Sequence, residues 1–411
     1  MVTGIGAVTP IGIGKEDFWS ALARGVSGVS KITSFDASDY PTRIAAEVRD
    51  FNPIEFMEAK DARRMDRFCQ FAVAASKMAL EDAGLPTENL GEDFGVLISS
   101  GIGGLLTLEA QHKALLEKGP RRISPLTIPM VIPNMASAQV AISFGAKGPC
   151  TTVVTACAAG NNAIGDAFEL IRRGDAEGMI AGGAEAPVSS VSLAGFAAMG
   201  ALSRRNDKPE AASRPFDLER DGFVIGEGSG VVILEELKRA KGRGARIYGE
   251  VLGYGMAGEA YHIAGLEPSG DGLVRSMMGA LKEAGLKAEQ VDYINAHGTS
   301  TKLNDSAETK AVKRVFGEHA LMISVSSTKS MTGHMLGAAG AVEFIACLLA
   351  IDRGIVHPTI NYEFPDPDCD LDYVPNEARR MPVRIAISNS QGFGGHCVSV
   401  LLSSYEDGKK G

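Results

Sequence analysis

The sequence predicts an α/β protein in which helices cover largely parallel sheets. Strand-like and helix-like segments alternate along the chain, which is the order that parallel sheets with helical crossovers require. This order occurs twice, which indicates an internal duplication with its boundary near residues 242–246. Because 411 residues with 45% hydrophobic content exceed the usual size of one simple core, we expect two packed halves, residues 1–245 and 246–411.

The first half begins with a buried strand that runs into a Gly/Pro turn within residues 1–10. Residues 68–83 are predicted to form a helix, which Gly84 and Pro86 terminate. Apolar and β-branched runs predict the remaining strands, at residues 94–100, 151–155, 179–183 and 230–234. A helix of small residues directly follows the strand at 151–155.

The second half repeats this pattern. Helices are predicted at residues 272–284, from near Thr332, and over the apolar run 336–351, which contains Glu343 and is too short to span a bilayer comfortably. Strands are predicted at residues 247–253, 291–295, 323–327, 384–388 and 398–402. Residues 407–411 are expected to form a loose tail.

Composition narrows the functional class. A formal net charge of −9 argues against a general nucleic-acid-binding protein, which usually carries a basic surplus. The six cysteines form no C-x-x-C pair, and no cysteine–histidine cluster has zinc spacing, so we expect no metal of that kind. These scattered thiols and the lack of a secretory signal pattern favour a reducing, cytoplasmic location without a membrane partner.

Cys157 lies between a β-branched strand and a helix rich in Ala, Gly and Asn, so we expect it at a helix N-terminus. Unpaired N–H groups and the helix dipole stabilise a thiolate there, which predicts a lowered pKa. Such a thiolate could take an acyl group from a thioester. A buried, inert cysteine is the alternative, and we interpret the other five cysteines as structural.

His297 and His334 each follow a predicted strand, where the sites of α/β proteins gather, although a structural role is the alternative for either alone. Decarboxylation of a malonyl thioester leaves an enolate, and two neutral imidazole N–H groups could donate to its oxygen. We expect a buried Lys329 to keep His334 neutral by charge repulsion, and Glu343 to balance the charge of Lys329.

Two further loops carry groups that could bind a ligand. Thr299, Ser300 and Thr301 offer hydroxyls to a polar ligand arm. Residues 388–395 are rich in glycine, which allows the backbone to approach a ligand closely. Their N–H groups could join that of Cys157 as an oxyanion hole, with a plain tight turn as the alternative.

Together these segments resemble the β-ketoacyl-[acyl-carrier-protein] synthase family of the thiolase superfamily, most closely its type II elongating enzymes, over residues 2–403. The motifs that carry the resemblance are VTGIGAVTP, TACAAG, AGGAEA, RPFDLERDGFVIGEG, NAHGTST, SSTKSMTGHMLGAAG and SNSQGFGGH. The resemblance implies a thiolase-like fold, in which duplicated βαβαβαββ halves form a five-layered α-β-α-β-α sandwich. It also implies decarboxylative condensation of an acyl thioester with a malonyl thioester, both borne on acyl carrier protein, in fatty acid elongation.

Carried over to this chain, the resemblance implies Cys157 in the first half as the acyl acceptor. It implies His297 and His334 in the second half as the residues of decarboxylation and condensation, tuned by Lys329 and its partner Glu343. Further roles are implied for Phe393 as the acyl gate and oxyanion N–H, Thr299 and Thr301 as phosphopantetheine contacts, Ile102 and Phe196 in the acyl pocket, and Asn295, Glu308 and Asn389 near a monovalent cation that some members bind. No other cofactor is expected, because the phosphopantetheine arrives on the carrier protein.

The resemblance also implies a homodimer, with Ile102 near its interface, and a docking surface for an acidic acyl carrier protein. Candidates for this surface are the basic residues Arg63, Arg64, Arg67 and Arg205. A solvated helix face is the alternative for such a run of charges.

The chain departs from the family pattern at three places. Gln391 stands where phenylalanine is usual, Cys397 where asparagine is usual, and Ala158–Ala159 where one residue of the pair is usually polar. These departures leave open the acyl preference and the choice between fatty acid synthesis and a type II polyketide or other specialised pathway. A thiolase, in which Cys397 would be the base, and a non-catalytic chain-length-factor-like partner are further alternatives, although the histidine pattern and Cys157 argue against them.

Overall fold

The computed structural model describes residues 1–406, so the tail predicted at 407–411 lies outside the described residues. The strands are β1 (Val2–Thr9), β2 (Gly12–Ile13), β3 (Ser30–Lys31), β4 (Ile44–Ala45), β5 (Phe94–Ser99), β6 (Cys150–Thr151), β7 (Gly178–Glu185), β8 (Gly228–Glu235), β9 (Glu250–Gly258), β10 (Tyr293–Asn295), β11 (Ser324–Ser326), β12 (Ile355–Val356), β13 (Arg379–Arg380), β14 (Ile385–Gly392) and β15 (His396–Ser403). The α-helices are α1 (Lys15–Ala23), α2 (Ala59–Ala62), α3 (Arg67–Asp82), α4 (Leu105–Lys118), α5 (Thr127–Val131), α6 (Met135–Phe144), α7 (Ala159–Arg173), α8 (Ser190–Ala198), α9 (Leu237–Gly242), α10 (Asp271–Ala284), α11 (Lys302–Phe316), α12 (Lys329–Thr332) and α13 (Ala339–Arg353).

Two large sheets organise the chain. The first has the order β2-β1-β8-β7-β5-β6 and the second has the order β11-β10-β14-β15-β9. With β2 set aside and the second sheet read from β9, the five strands of each sheet, numbered in chain order, lie in the order first, fifth, fourth, second, third. This shared order is what a duplicated unit produces. Our division of the chain after residue 245 stays a prediction.

The sheets are mixed, so the expectation of largely parallel sheets is wrong. Strands β6, β5 and β7 are parallel to one another, as are β11, β10 and β14, whereas β8 and β15 run antiparallel to both of their neighbours. The turn over residues 393–395 joins β14 directly to β15. A chain that reverses within so few residues must place its next strand antiparallel.

The helices and sheets stack in five layers. Helices α7 and α13 lie between the two sheets and pack against both, while α3 and α6 cover the outside of the first sheet. Helix α10 covers the outside of the second sheet, with α11 beside it. Residues 339–350 of α13 are all buried, which explains their uninterrupted apolar sequence. The predicted α-β-α-β-α sandwich is therefore confirmed.

Several helices and strands begin or end at other residues than predicted. Strand β6 ends at Thr151 rather than Thr155. The next residue, Thr152, is outside the strand ladder, because its hydroxyl donates to the Ile98 carbonyl (3.0 Å). The helix predicted from near Thr332 ends there instead, at Gly333, whose φ is 64°. Strand β9 begins later than predicted, and the other predicted elements are present with shifted ends. Within residues 1–406, no helix has the length and apolarity needed to cross a membrane.

Candidate active site

Cys157 lies in a tight 3-10 turn, Ala156–Ala158, that leads directly into α7. Ala156 has a φ of 50°, a left-handed conformation that is uncommon for a residue with a Cβ atom. This strained turn sets the cysteine at the start of the central helix, and the side chain is 7% exposed. The predicted position at a helix N-terminus is confirmed.

The predicted lowering of the Cys157 thiol pKa is wrong. Burial raises the pKa of the Cys157 thiol to about 12; the Lys329 ammonium opposes this, and Glu185 adds to it. A helix terminus contributes at most about 2 kcal/mol in partly buried sites, or roughly 1.5 pKa units. That is less than the desolvation of this sulfur costs, so the thiol rests protonated.

One cavity of about 670 Å³ holds the predicted reactive residues, since Cys157, His297 and His334 all line it. The same cavity is lined by the further predicted residues Phe196, Thr299, Thr301 and Phe393. Residues from both large sheets and from the loops around them therefore meet at one place. The volume is sufficient for an extended thioester arm or a small ligand.

The two histidines are buried and uncharged. His297 follows β10 and is 4% exposed; His334 follows α12 and is 3% exposed. Burial, and then the Lys329 ammonium, lower the pKa of both rings well below the usual value. Within residues 1–406, neither buried Nδ1 atom has a hydrogen-bond partner. For His334 this direction agrees with the predicted neutral ring, with burial as the larger cause.

Lys329 and Glu343 form a buried ion pair between α12 and α13. Their side chains are 1% and 2% exposed, so neither charge is shared with bulk water. Burial raises the pKa of Glu343, and the charge of Lys329 opposes that rise. The predicted pairing is confirmed, and it supplies the positive charge that acts on both histidines and on Cys157.

The glycine-rich loop after β14 reaches the nucleophile. The backbone N–H groups of Phe393 and Cys157 both donate toward the Cys157 sulfur. A Cβ atom at Gly392 would lie 2.5 Å from the Thr155 carbonyl oxygen and 3.1 Å from the Cys157 nitrogen, so this close approach requires glycine. Both N–H groups therefore lie beside the sulfur, next to the place where an oxyanion would form.

A chain of aromatic rings links Phe393 to His334. The Phe393 ring lies 6.3 Å from that of Phe196, and Phe196 packs edge to face on Phe223 at 5.4 Å. Phe223 in turn meets His334 at 5.3 Å. Phe393 and His334 are therefore connected through two intervening aromatic rings.

Several predicted residues lie away from the cavity. The Ile102 side chain is 37% exposed and does not line it, although the Ile102 N–H donates to buried Glu185 (3.0 Å). Arg63 and Arg64 are exposed beside α2. The guanidinium of Arg67 turns inward, where it binds Glu227 at 2.9 Å and the Val48 carbonyl.

Arg205 is half-buried and pairs with Glu219 at 3.1 Å. It therefore differs from Arg63 and Arg64, for which the described residues 1–406 supply no ion-pair partner. Of the four basic residues predicted for docking, these two present their charge most openly to solvent.

The residues predicted near a monovalent cation have other contacts. The Glu308 carboxylate accepts hydrogen bonds from the N–H groups of His297 (2.9 Å) and Gly298 (2.8 Å), and burial raises its pKa to about 7. Asn295 Oδ1 has no partner within residues 1–406, whereas Asn389 Oδ1 accepts from the Ser399 hydroxyl at 2.8 Å. The free oxygen of Asn295 fits a cation, whereas the oxygen of Asn389 already accepts one hydrogen bond, and the site stays a prediction. Glu308 has a visible role in fixing the backbone of His297.

Sequence reasoning missed part of the cavity wall. Phe223, Leu336 and residues 264–266 line the cavity without having been predicted to do so. Phe223 belongs to the RPFDLERDGFVIGEG motif, so the sequence did contain a signal that could have placed it at the site. Leu336 has a φ of 46° at the start of a 3-10 turn before α13, which mirrors Ala156 before α7. Residues 264–266 carry no chemical signature in the sequence.

The three departures from the family pattern have different surroundings. Ala158 and Ala159 are fully buried at the start of α7. Cys397 is buried outside the cavity wall, and burial raises its pKa to about 12, which makes it a poor base. Gln391 lines the cavity itself.

Comparison with known proteins gives matches over nearly the whole chain. The family model described as "Beta-ketoacyl synthase, N-terminal domain" matches residues 1–240, and "Beta-ketoacyl synthase, C-terminal domain" matches residues 248–363. The "3-oxoacyl-[acyl-carrier-protein] synthase 2" of Synechocystis sp. is 56% identical over 99% of this chain and 98% of its own length. The protein of the same name from Staphylococcus aureus is 50% identical over the same shares.

Solved structures of ketosynthases also match nearly the whole chain. The ishigamide ketosynthase/chain length factor superposes with a TM-score of 0.93 at 38% identity over 98% of each chain. A β-ketoacyl synthase from Burkholderia phymatum gives 0.92 at 35% identity over 98% of this chain and 99% of its own. A type II polyketide ketosynthase, solved in complex with its acyl-carrier protein and bound to the hexaketide, gives 0.90 at 39% identity over 98% of each chain.

Proposed function

This chain belongs to the β-ketoacyl synthase family, and we propose that it condenses acyl-[acyl-carrier protein] with malonyl-[acyl-carrier protein] to 3-oxoacyl-[acyl-carrier protein] and CO2 in fatty acid elongation. The observation that carries the proposal is that Cys157, His297 and His334 line one cavity. The relatives at 56% and 50% identity that bear the name of this activity support the same conclusion.

The first step is acyl transfer to Cys157. Its sulfur attacks the carbonyl carbon of the acyl thioester, and the carrier's thiol leaves with the proton of the Cys157 thiol. The N–H groups of Cys157 and Phe393 would donate to the oxyanion that forms, because both already point to this sulfur. Because the resting thiol is protonated, deprotonation accompanies attack rather than preceding it.

The second step is decarboxylation of the malonyl thioester. The bond between its C2 and its carboxyl carbon breaks, CO2 leaves, and the electron pair becomes an enolate. His297 and His334 would each donate an N–H to the enolate oxygen, which their neutral state permits. Lys329 keeps the rings neutral, and Glu343 balances the charge of Lys329.

The third step is condensation. The enolate carbon attacks the acyl carbonyl on Cys157, a C–C bond forms, and the C–S bond breaks. The Cys157 thiolate leaves and takes up a proton, which restores the resting thiol. The same N–H groups of Cys157 and Phe393 would stabilise the oxyanion of this step.

We propose further roles for the residues around these steps. Thr299 and Thr301 would bind the phosphopantetheine arm, so no other cofactor is needed. Phe393 would gate the acyl channel and Phe196 would line it, while Ile102 would complete the channel at the interface of a cytoplasmic homodimer. Arg63 and Arg64, together with Arg67 and Arg205, would receive the acidic carrier protein.

A ketosynthase of a type II polyketide pathway is the second candidate. The superpositions at 38% and 39% identity favour it, because those proteins are described as a ketosynthase/chain length factor and a type II polyketide ketosynthase. The curated relatives are more similar in sequence, which favours fatty acid elongation.

An elongation assay tests the proposal. The purified chain is mixed with malonyl-[acyl-carrier protein] and a series of saturated acyl-[acyl-carrier protein] substrates, and the product is identified by mass spectrometry. We expect one CO2 for each 3-oxoacyl product. No condensation at any chain length would refute the function, and condensation of poly-oxo chains alone would favour the second candidate.

A further inference from the structure

The two N–H groups beside the Cys157 sulfur come from distant parts of the chain. One belongs to Cys157 itself, in the turn that leads into α7, and the other to Phe393, directly after β14. Between them, Gly392 lies so close to this turn that a Cβ atom there would be 3.1 Å from the Cys157 nitrogen. The placement of both donors therefore depends on how α7 and β14 are held against each other.

Alternate residues of β14 face α7. Side chains alternate between the two faces of a strand, so Ser388 and Ser390 lie on the same face as Gly392. Both serines are fully buried. On the helix side, Asn161 follows Cys157 by four residues, which is about one helical turn. The next polar side chain of α7 after the nucleophile therefore lies opposite the two serines.

The Asn161 amide joins α7 to β14. Its Nδ2 atom lies 3.0 Å from the hydroxyl oxygens of Ser388 and Ser390, and 3.2 Å from the Ser388 carbonyl oxygen. A carbonyl oxygen only accepts hydrogen bonds, so the NH2 group is the side that faces the strand. The Oδ1 atom lies 3.3 Å from the Ser388 hydroxyl, which can donate to it. Both atoms of the amide therefore contact the strand that ends next to Phe393.

Helix α13 closes the remaining side of this contact. A Cβ atom at Gly340 would lie 2.7 Å from the Asn161 nitrogen and 2.8 Å from Ser390 Oγ, so α13 packs directly on the amide and on the serine. The Asn161 side chain is fully buried. If the amide were removed, a water molecule would have little space to take its place, and the serine hydroxyls would lose this partner.

We propose that Asn161 is a positioning residue for acyl transfer, because its amide fixes α7 against β14 and so holds the N–H groups of Cys157 and Phe393 on one oxyanion. This inference rests on the proposed condensing function and deepens it. Asn161 acts through the backbone of these two segments and does not line the cavity.

The steps of the reaction should differ in their need for Asn161. Acyl transfer and condensation form an oxyanion at Cys157, so both depend on the two N–H donors. Decarboxylation forms an enolate beside His297 and His334, which follow β10 and α12. Loss of the amide should therefore slow acyl transfer much more than decarboxylation.

Two assays measure these steps separately. One follows acylation of Cys157 by a saturated acyl-[acyl-carrier protein] without malonyl substrate, by mass spectrometry. The other follows release of labelled CO2 from malonyl-[acyl-carrier protein] without acyl substrate. The test variant is Asn161→Leu, which keeps the approximate shape of the side chain and removes both amide atoms.

Asn162→Leu is the matched control. Asn162 is the next residue of α7 and is 2% exposed, but its amide binds the Tyr254 hydroxyl of β9 at 2.7 Å and Asp166 at 3.0 Å. The control therefore removes a buried amide from the same helix without touching its contact with β14.

We expect Asn161→Leu to lower the acylation rate roughly tenfold to 100-fold, because a small misplacement of a donor is costly. Its CO2 release should stay near the wild-type rate, and Asn162→Leu should show no such selective loss. Wild-type acylation in Asn161→Leu, an equal loss in both assays, or the same selective loss in Asn162→Leu would overturn the proposal.

The double variant Ser388→Ala/Ser390→Ala tests the same link from the strand, so that a folding defect of Asn161→Leu does not decide the result. We expect the same selective loss of acylation. Adding Asn161→Leu should lower the rate little further, because residues of one network are not additive. Losses that multiply would show that the amide and the hydroxyls act independently, and would also overturn the proposal. Thermal unfolding checks each variant.

Failure of this inference is distinct from failure of the proposed function. Wild-type protein that condenses saturated chains while Asn161→Leu keeps its acylation rate would refute the role of Asn161 alone. Wild-type protein that condenses no substrate would refute the function itself.

Discussion

The imidazole rings of His297 and His334 meet edge to face, with their centroids 5.3 Å apart and their planes at 84°. At this separation two ring N–H groups can converge on one substrate oxygen. The arrangement is stable because both rings are neutral; two imidazolium ions at this distance in a buried site would repel strongly. Two neutral rings at this distance can both donate an N–H to an enolate oxygen.

Replacing His297 with alanine should block decarboxylation. Loss of one oxyanion donor typically slows a reaction by about 10²- to 10³-fold. The measurement is release of labelled CO2 from malonyl-[acyl-carrier protein]. His297→Asn, which keeps an N–H donor, should retain more activity than His297→Ala. Unchanged CO2 release in His297→Ala would remove this residue from the mechanism.

Replacing Lys329 with methionine should shift the pH dependence of decarboxylation. Lys329 lowers the pKa of His297 and His334, so its removal raises both values. The active neutral rings exist above their pKa, so a raised pKa moves the acid loss of activity to higher pH. We expect the ratio of rates at pH 6 and pH 8 to fall in the variant, measured as CO2 release.

The double variant Lys329→Met/Glu343→Gln is the control for this prediction. It removes both charges of the buried pair, so an unpaired Glu343 cannot explain the result. The same shift in both variants attributes the effect to the charge of Lys329. A pH profile that matches the wild type would show that burial alone keeps the histidines neutral.

Reversing the charges of Arg63 and Arg64 to glutamate should raise the KM for carrier-borne substrates. Both residues are exposed, and charges at an interface rim act mainly on the association rate. The effect should shrink as salt is raised, because the Debye length is about 10 Å at 0.1 M. Lys282→Glu/Lys287→Glu, at two exposed positions in the last turn of α10 and just after it, is the matched control. An equal rise in both double variants would show that the effect is not local.

Much of the fold was predictable because its signals are local. The buried strands and the long apolar helix follow from runs of hydrophobic residues, and their order predicts the layers. Strand direction was predicted wrongly, because it depends on the tight turn after β14 and on which strands become neighbours. The predicted end of β6 was also wrong, because the Thr152 hydroxyl donates to the Ile98 carbonyl in β5, which is distant in sequence.

The reactive groups of the site were predictable in identity, and their energetics were not. Cys157, His297 and Lys329 stand in motifs whose chemistry can be read from the sequence, and Glu343 is a lone carboxylate in the apolar run that follows. The protonation of Cys157 depends on how deeply α7 is buried between two sheets, which is a property of the whole fold. The orientation of the Gln391 amide, whose oxygen is unpaired among the described residues, likewise depends on Glu259, which is distant from Gln391 in sequence.

Replacing Cys157 with serine should abolish condensation while the fold survives. A serine hydroxyl fits the space of the thiol but is a far weaker nucleophile toward a thioester at neutral pH. Because decarboxylation uses the histidines, CO2 release from malonyl-[acyl-carrier protein] should continue. Circular dichroism and thermal unfolding check the fold. Wild-type elongation rates in this variant would refute the assignment of the nucleophile.

The rate of alkylation of Cys157 by iodoacetamide should rise steadily with pH. Burial raises the thiol pKa to about 12, so the reactive thiolate is a small fraction at pH 7 and grows about tenfold for each pH unit up to pH 10. Mass spectrometry of the Cys157 peptide measures the rate, and exposed Cys150 in the same digest is the internal control. A plateau below pH 9 would mean that the N-terminus of α7 and Lys329 outweigh burial, and that the thiolate exists before substrate binds. A steady rise would mean that the acyl thioester reacts with a protonated Cys157 thiol. The proton of that thiol would then be available to the carrier thiolate as it leaves.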